Sequence, residues 1–289
     1  MPKYLAAYTA WRDGFSADCA IELLGELDRH KSGNREFKAG CDLFTPGEKR
    51  DVIYRLVDGW VALYSLFEDG SRQILHFALP GAVLAFAPGR VMTHGALALT
   101  DVVVCVIPYE RLYLLLREQP EVGLQLAGIM SHDRRLAYDR LSSVGRHAAR
   151  ERVAHLLLEL FIRSRMRWPG HRIEEMHLPL SQEHVGDATG LTGVHVNRVL
   201  RDLRRDGILE FHYRRLRILN PDRLADVAGI DPHVALSWTG NDRSDAAAVD
   251  RECNVLPNRH ARSARSYGSH EASRRASGRH MDEESIAAL

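Results

Sequence analysis

The stretch Leu178–Arg205, LPLSQEHVGDATGLTGVHVNRVLRDLRR, restricts what this chain can fold into more than any other. It reads as two short helices joined by a tight turn. Ser181 is a good N-cap, and Glu183 lies in the first turn, where a negative charge suits the positive end of a helix. Val185, Ala188 and Leu191 give this helix a narrow apolar face, and Gly190 supplies the backbone freedom of a sharp turn. Thr192 then caps a second helix, whose Val199, Leu200 and Leu203 follow Val196 at spacings of 3, 4 and 7. Gly193, Val194, Asn197, Arg198 and Arg201 are left on the other side, the face that a helix-turn-helix presents to the DNA major groove. An ordinary two-helix corner within a core is the alternative. The adjoining segment weighs against it: Gly207 ends the helix, and ILEFHYRRLRIL reads as a β-hairpin wing.

With 289 residues there is room for two domains and a tail, and 45% hydrophobic with 27% charged residues excludes wholesale disorder. A net charge of +1 means that any affinity for nucleic acid must come from local placement of arginine. Cys19, Cys41, Cys105 and Cys253 are scattered without a CxxC pair, so neither a zinc ribbon nor a disulfide framework is suggested. Arg12 and Asp13 interrupt the N-terminus before a signal-type apolar run can form, and no apolar run approaches the ~20 residues of a membrane span. A cytoplasmic protein with reduced thiols, and no membrane partner, is expected.

Residues 1–20 read as a loosely attached leader, and Ile21–His30 as a brief amphipathic helix. From Phe37 to Pro108 short β-type runs are broken by Asp58-Gly59, Asp69-Gly70 and Pro80-Gly81; Asp-Gly between apolar runs is a hairpin signal. Further runs, VLAF and DVVVCVIP, give the regular spacing of a jelly roll. From Tyr109 the periodicity is helical, and Pro120 marks the start of a long helix. Leu126, Met130, Ala137, Leu141 and Val144 form a coiled-coil-like seam interrupted by Asp133, suited to a twofold dimer or to docking on the β domain. Arg146–Arg165 is amphipathic, with Val153, Leu156, Leu157, Leu160 and Phe161 on one side, and residues 222–238 add a short closing helix. Beyond Ser237 the Ser/Arg/Ala/His-rich text reads as a disordered tail, either merely solvated or adding non-specific attraction to DNA.

The fold expected is therefore α+β. A β jelly-roll sensor occupies 20–112, a dimerisation helix 113–145, a winged helix-turn-helix 146–225 and a disordered tail 238–289. This order resembles the Crp/Fnr superfamily of bacterial transcription regulators over roughly residues 20–225. The motifs that carry the resemblance are LSQEHVGDATGLTGVHVNRVLRDLRRDGIL with its wing, and YRLVDGWVALYSLFEDGSRQILHFALPG, which looks like the family's cyclic-nucleotide-binding-type cassette. The resemblance implies a homodimer that reads a twofold-symmetric DNA operator, with RNA polymerase as a further partner if the protein activates. Arg198 matches the family's base-reading arginine, which bonds guanine O6 and N7 together, worth about 1–3 kcal/mol of discrimination. Thr192, His195 and Gln182 match phosphate-contacting positions. Gly193 and Val194 stand where relatives often carry Arg and Glu, so Val194 is left with apolar contact, for instance to a thymine methyl. Asn197 is a second candidate base reader or a solvent-facing residue. Arg201, Arg204, Arg205, Arg214, Arg215 and Arg217 supply a positive rim for phosphates, or a solvated face partly offset by Asp202, Asp206 and Glu210.

The input signal is harder to read. In the family's cyclic-AMP binders a glutamate meets the ribose and an arginine-serine pair meets the phosphate. Those positions fall here near Phe86 and near Met92-Thr93, and no acidic residue lies between Gly81 and Thr100. Arg90 alone is a poor substitute, because an anion buried without paired donors is costly. An iron–sulfur cluster needs four clustered thiolates, which the cysteine spacing does not offer. His76 and His94 lie near the expected pocket and are the candidates for a haem ligand; Cys105 reads as a buried inert thiol. No cofactor is expected. Dinucleotide, Walker, HExxH and GxSxG motifs are all missing, so no enzyme is expected either. The rival class is a nucleotide- or haem-responsive module whose C-terminal helices bind protein rather than DNA.

Overall fold

A computed structural model describes residues 25–165 and 174–230, together with Ala235 and Trp238. Eight strands come first: β1 (Gly33–Phe37), β2 (Asp42–Phe44), β3 (Val52–Asp58), β4 (Val61–Leu66), β5 (Arg72–Ala78), β6 (Val83–Leu84), β7 (Gly95–Ala98) and β8 (Val102–Pro108). They form two four-stranded sheets, ordered β1-β8-β3-β6 and β2-β7-β4-β5, with every pair antiparallel. This is the jelly roll, with Leu43, Phe44, Tyr54, Leu56 and Val104 packed between the sheets.

Two local expectations need correction. Asp58-Gly59 does not close a hairpin, because β3 and β4 belong to different sheets and the dipeptide carries the chain between them. The Asp58 carboxylate accepts the Gly59 N–H at 2.8 Å, and Gly59 has φ 94° with no room for a Cβ, which would lie 2.4 Å from the Asp101 carbonyl. The turn chemistry is that of a hairpin; the partner strand is chosen by the roll. Asp69-Gly70 does join paired strands, with Leu66 opposite Arg72. In VLAF only Val83 and Leu84 are strand: Ala85 turns at φ 61° and Phe86 swings out to meet Tyr109 edge-on.

The outer face of the first sheet is covered by a helical turn at 25–29, by α1 (Tyr109–Glu118) and by the start of α2 (Pro120–Arg146), around Leu27, Ile53, Ile107, Leu115 and Val122. Pro120 opens α2 as expected. The expected seam of α2 is divided, with Met130 and Leu141 exposed and Ala137 half-buried. Leu126 is buried against the roll and Val144 is half-buried, whereas Leu124, Ala127, Ser131, Arg134, Tyr138 and Leu141 are exposed. Those six are spaced 3, 4, 3, 4 and 3, a heptad stripe that the first turns of the helix leave free while their opposite face docks. Asp133 does not interrupt this stripe; it turns inward toward His76 of β5, 3.8 Å away.

The remaining elements are α3 (Ala149–Arg165), β9 (Glu174–His177), α4 (Gln182–Thr189), α5 (Gly193–Arg205), β10 (Leu209–His212), β11 (Arg215–Ile218) and α6 (Pro221–Ala228). Helix α3 is buried on all sides from Val153 to Arg163 rather than along one face, because it is the hub on which the C-terminal elements assemble. Ala62, Ile74 and Phe77 of the second sheet join the same core, so the winged module sits directly on the roll. The wing has a third strand that the sequence did not reveal, β9, paired to β11. Trp238, where the tail was expected to begin, is buried at 1% exposure and donates its indole N–H to Asp139 at 3.0 Å. The expected leader at 1–20 and the tail beyond Trp238 lie outside the described residues.

The roll, α2 and α3 meet at a buried ion cluster. Arg140 of α2 donates to both oxygens of Glu159 at 3.0 Å, and Arg163 donates to Glu159 at 3.0 Å. The same two arginines donate to the Leu75 and Phe77 carbonyls of β5, at 3.2 and 2.9 Å. Burial pushes the Glu159 carboxyl up, but Arg140 and Arg163 together outweigh it and hold it below the usual carboxylate range.

Candidate nucleic-acid interface

Helix α4 begins at Ser181, whose hydroxyl accepts the His184 N–H at 3.1 Å while His184 Nδ1 accepts the Ser181 N–H at 3.3 Å. This is a capping box with histidine in the place of the usual Glu or Gln, and Glu183 lies in the first turn as expected. Burial, reinforced by Arg72, holds His184 below the usual imidazole range, so it stays neutral and able to accept. At the other end Gly190 takes φ 67°, and a Cβ on Gly186 would lie 2.5 Å from the Leu191 carbonyl. The turn between the helices is fixed by these two glycines. Arg72 of β5 ties α4 to the roll through Asp187, at 3.1 Å.

Thr192 caps α5 as expected, its hydroxyl accepting the His195 N–H at 3.3 Å. Val196, Val199, Leu200 and Leu203 are all buried. Gly193, Val194, His195, Asn197, Arg198 and Arg201 are exposed, and Val194, Arg198 and Arg201, at i, i+4 and i+7, run along one outward line. Asn197 and Gln182 are brought together: the Asn197 amide donates to Gln182 Oε1 at 3.0 Å, linking the start of α4 to the face of α5.

The arginine rim proves narrower than composition suggests. Arg204 faces Glu210 at 3.3 Å, Arg205 faces Asp202 at 3.0 Å, Arg215 faces Glu175 at 2.9 Å and Arg217 faces Glu210 at 3.0 Å. Arg198, Arg201 and Arg214 have no acidic partner among the described residues. These three concentrate the positive field, two on α5 and one in the wing turn. Tyr213, beside Arg214, escaped the sequence reading; it is 97% exposed at the tip of the wing.

Met92 is buried in the apolar interior, Phe86 packs toward α1, and Arg90 is exposed. His76 Nε2 faces Arg163 at 3.4 Å and Asp133 at 3.8 Å, while its buried Nδ1 has no hydrogen-bond partner among the described residues. His94 stacks edge-on with Phe44 at 5.8 Å. Cys41 is exposed, while burial and the nearby Asp28 push the Cys105 thiol up to about 11. Among the described residues no three His, Cys, Asp or Glu side chains converge as a metal site, and no helix is long and apolar enough to cross a membrane.

Comparison with known proteins bears on both halves of the chain. A family model described as a Crp-like helix-turn-helix domain matches residues 151–227, and one described as a cyclic nucleotide-binding domain matches residues 34–119. The transcriptional activatory protein AadR of Rhodopseudomonas palustris is 31% identical over 239 residues, covering 78% of this chain and 98% of that protein. The transcriptional activator protein Anr of Pseudomonas protegens is 29% identical over 211 residues, covering 72% and 86%. The solved structure of FixK2 from Bradyrhizobium japonicum superposes with a TM-score of 0.62 at 30% identity, covering 69% of this chain and 98% of that one.

Proposed function

The chain belongs to the Crp/Fnr family of DNA-binding transcriptional regulators, and from that premise we propose how it meets its operator. The protein acts as a homodimer on a twofold-symmetric site, each α5 entering the major groove of one half-site about one helical turn from the other. The observation that carries this is the outward line of Val194, Arg198 and Arg201, whose arginines are free of acidic partners while the surrounding arginines are paired. Arg198 reads a guanine through O6 and N7, Val194 meets a thymine methyl, and Asn197 reads a neighbouring base by exchanging Gln182 for it. Arg201, Thr192, His195 and Gln182 contact phosphates and set the register. The exposed heptad stripe on α2 supports the twofold interface, its Ala127 and Ser131 allowing close approach of a second α2.

Cyclic AMP is not the effector in this reading, since Met92 and Phe86 occupy the positions where its donors belong. No iron–sulfur cluster, haem or catalytic role is assigned. As an activator it would engage RNA polymerase in the cytoplasm. Selection of sites from random DNA by the full-length protein tests the proposal, with Arg198→Ala as control. A symmetric site with a guanine that this variant no longer selects is the expected result. If the wild type selects no DNA, the C-terminal helices serve a protein partner instead, and the proposal is wrong.

A further inference from the structure

The register of the wing pairs His212 with Arg215, so Tyr213 and Arg214 alone make the loop. Both take left-handed backbone, at φ 49° and 60°. A two-residue hairpin turn of this hand favours Asn-Gly, and side chains as large as Tyr and Arg are disfavoured there. Strain of this kind, where it is kept, clusters at working sites. Tyr213 has little packing to set against it: its ring lies 6.4 Å from that of its neighbour His212, and it is the most exposed of the large apolar side chains described, at 97%.

The turn is held firmly in place. The Arg214 carbonyl accepts the Leu178 N–H at 2.7 Å, three residues before the cap of α4, and β11 is anchored on its far side to β9. His184 lies in the first turn of α4, three residues after its cap. Gln182 in that same turn reaches Asn197 on α5. One edge of the module therefore carries the wing turn, the start of α4 and the recognition face together. Along it Arg214 is the wing's one arginine without an acidic partner among the described residues, since Arg215 and Arg217 are both held by Glu175.

We propose that the Tyr213–Arg214 turn is a second reading element, which places Arg214 in the minor groove flanking each half-site and packs Tyr213 against the sugar edge. A narrow A·T-rich minor groove concentrates negative potential and draws in an unpaired arginine, so the turn selects for sequence that α5 never touches. The inference rests on α5 occupying the adjacent major groove, as proposed above.

The test compares sites selected from random DNA by full-length wild type, by Tyr213→Asn combined with Arg214→Gly, and by Arg214→Gln alone. The double variant installs the dipeptide that the turn prefers, and the single variant keeps the backbone unchanged should the double one misfold. Wild type is expected to enrich A·T pairs flanking the half-site. Both variants are expected to keep the guanine read by Arg198 but lose the flanking preference. Affinity for an A·T-flanked site should fall about tenfold, and the salt slope by about 1 per wing. Equal loss on A·T- and G·C-flanked sites would mean a phosphate contact only, and would overturn the inference, as would an unchanged flanking preference or none in the wild type. An Arg198→Ala protein that selects the same core sequence as wild type would instead condemn the placement of α5, which separates the two failures.

Discussion

Replacing Glu159 by Gln should destabilise the protein by about 3–5 kcal/mol, because it leaves two buried cations without their shared counter-charge. Glu159 is 1% exposed, and its carboxylate receives three hydrogen bonds at 3.0 Å from Arg140 and Arg163, which are themselves 7% and 8% exposed. Arg140 Nε already lacks a partner, so no acceptor is held in reserve. At a urea m-value near 2 kcal/mol/M, the loss corresponds to a midpoint about 2 M lower. Replacing Arg140, Glu159 and Arg163 together by Met, Leu and Met should recover most of it, since a whole buried triad exchanged for apolar groups of similar volume is close to neutral or better. The sign with pH comes from the direction of the shift. Glu159 is held below the ordinary carboxylate range, so its contribution is present at neutral pH and is lost as the pH falls through the acid range. A loss under about 1 kcal/mol for Glu159→Gln, or a triple variant weaker than the single one, would refute the account of a desolvated cluster.

Asp133 has the opposite linkage: burial, opposed by Arg163, raises it from 3.8 to about 6, so wild type should lose stability relative to Asp133→Asn as pH rises from about 4 to about 6, read from urea midpoints at the two ends. The dimer proposed above predicts that Tyr138→Asp with Leu141→Glu halves the solution mass, to 32.6 kDa by sedimentation; an unchanged mass would remove α2 from the proposed interface. Iodoacetamide at pH 8 should label Cys41 in the native protein and Cys105 only on unfolding, as peptide mapping by mass spectrometry would reveal, since the Cys105 thiol is buried and pushed up to about 11.

What was legible in the sequence was what local chemistry determines. The capping residues Ser181 and Thr192, the apolar spacing of Val196 to Leu203, and Pro120 at the head of α2 each act within one or two turns of chain, and each appears where expected. Asp58-Gly59 marks the boundary of such reasoning: its turn geometry is local and was readable, but whether β4 pairs with β3 depends on the closure of two sheets. The expected seam of α2 divides for a related reason. Leu124 and Leu126 are equally apolar, and only the roll, by burying Leu126, decides which of them stays exposed.

The groups that join the modules were illegible on stronger grounds. Arg163 meets the Phe77 carbonyl across 86 positions of sequence, and Arg72 meets Asp187 across 115. On a helical projection Glu159 and Arg163 look like the solvated side of α3, and an exposed i, i+4 pair of this kind contributes only about 0.3–0.5 kcal/mol. In the fold the same pair is sealed between α2 and β5, where removing one member costs several times as much. The strand that receives both contacts is β5: Arg72 at its start holds α4, and the Phe77 carbonyl near its end holds α3. The winged module is therefore joined to the roll through one strand, by the buried Arg163 and the half-buried Arg72–Asp187 pair. Periodicity carries no trace of contacts made by distant segments, which is why the helices of the winged module could be read from the chain and their connection to the roll could not.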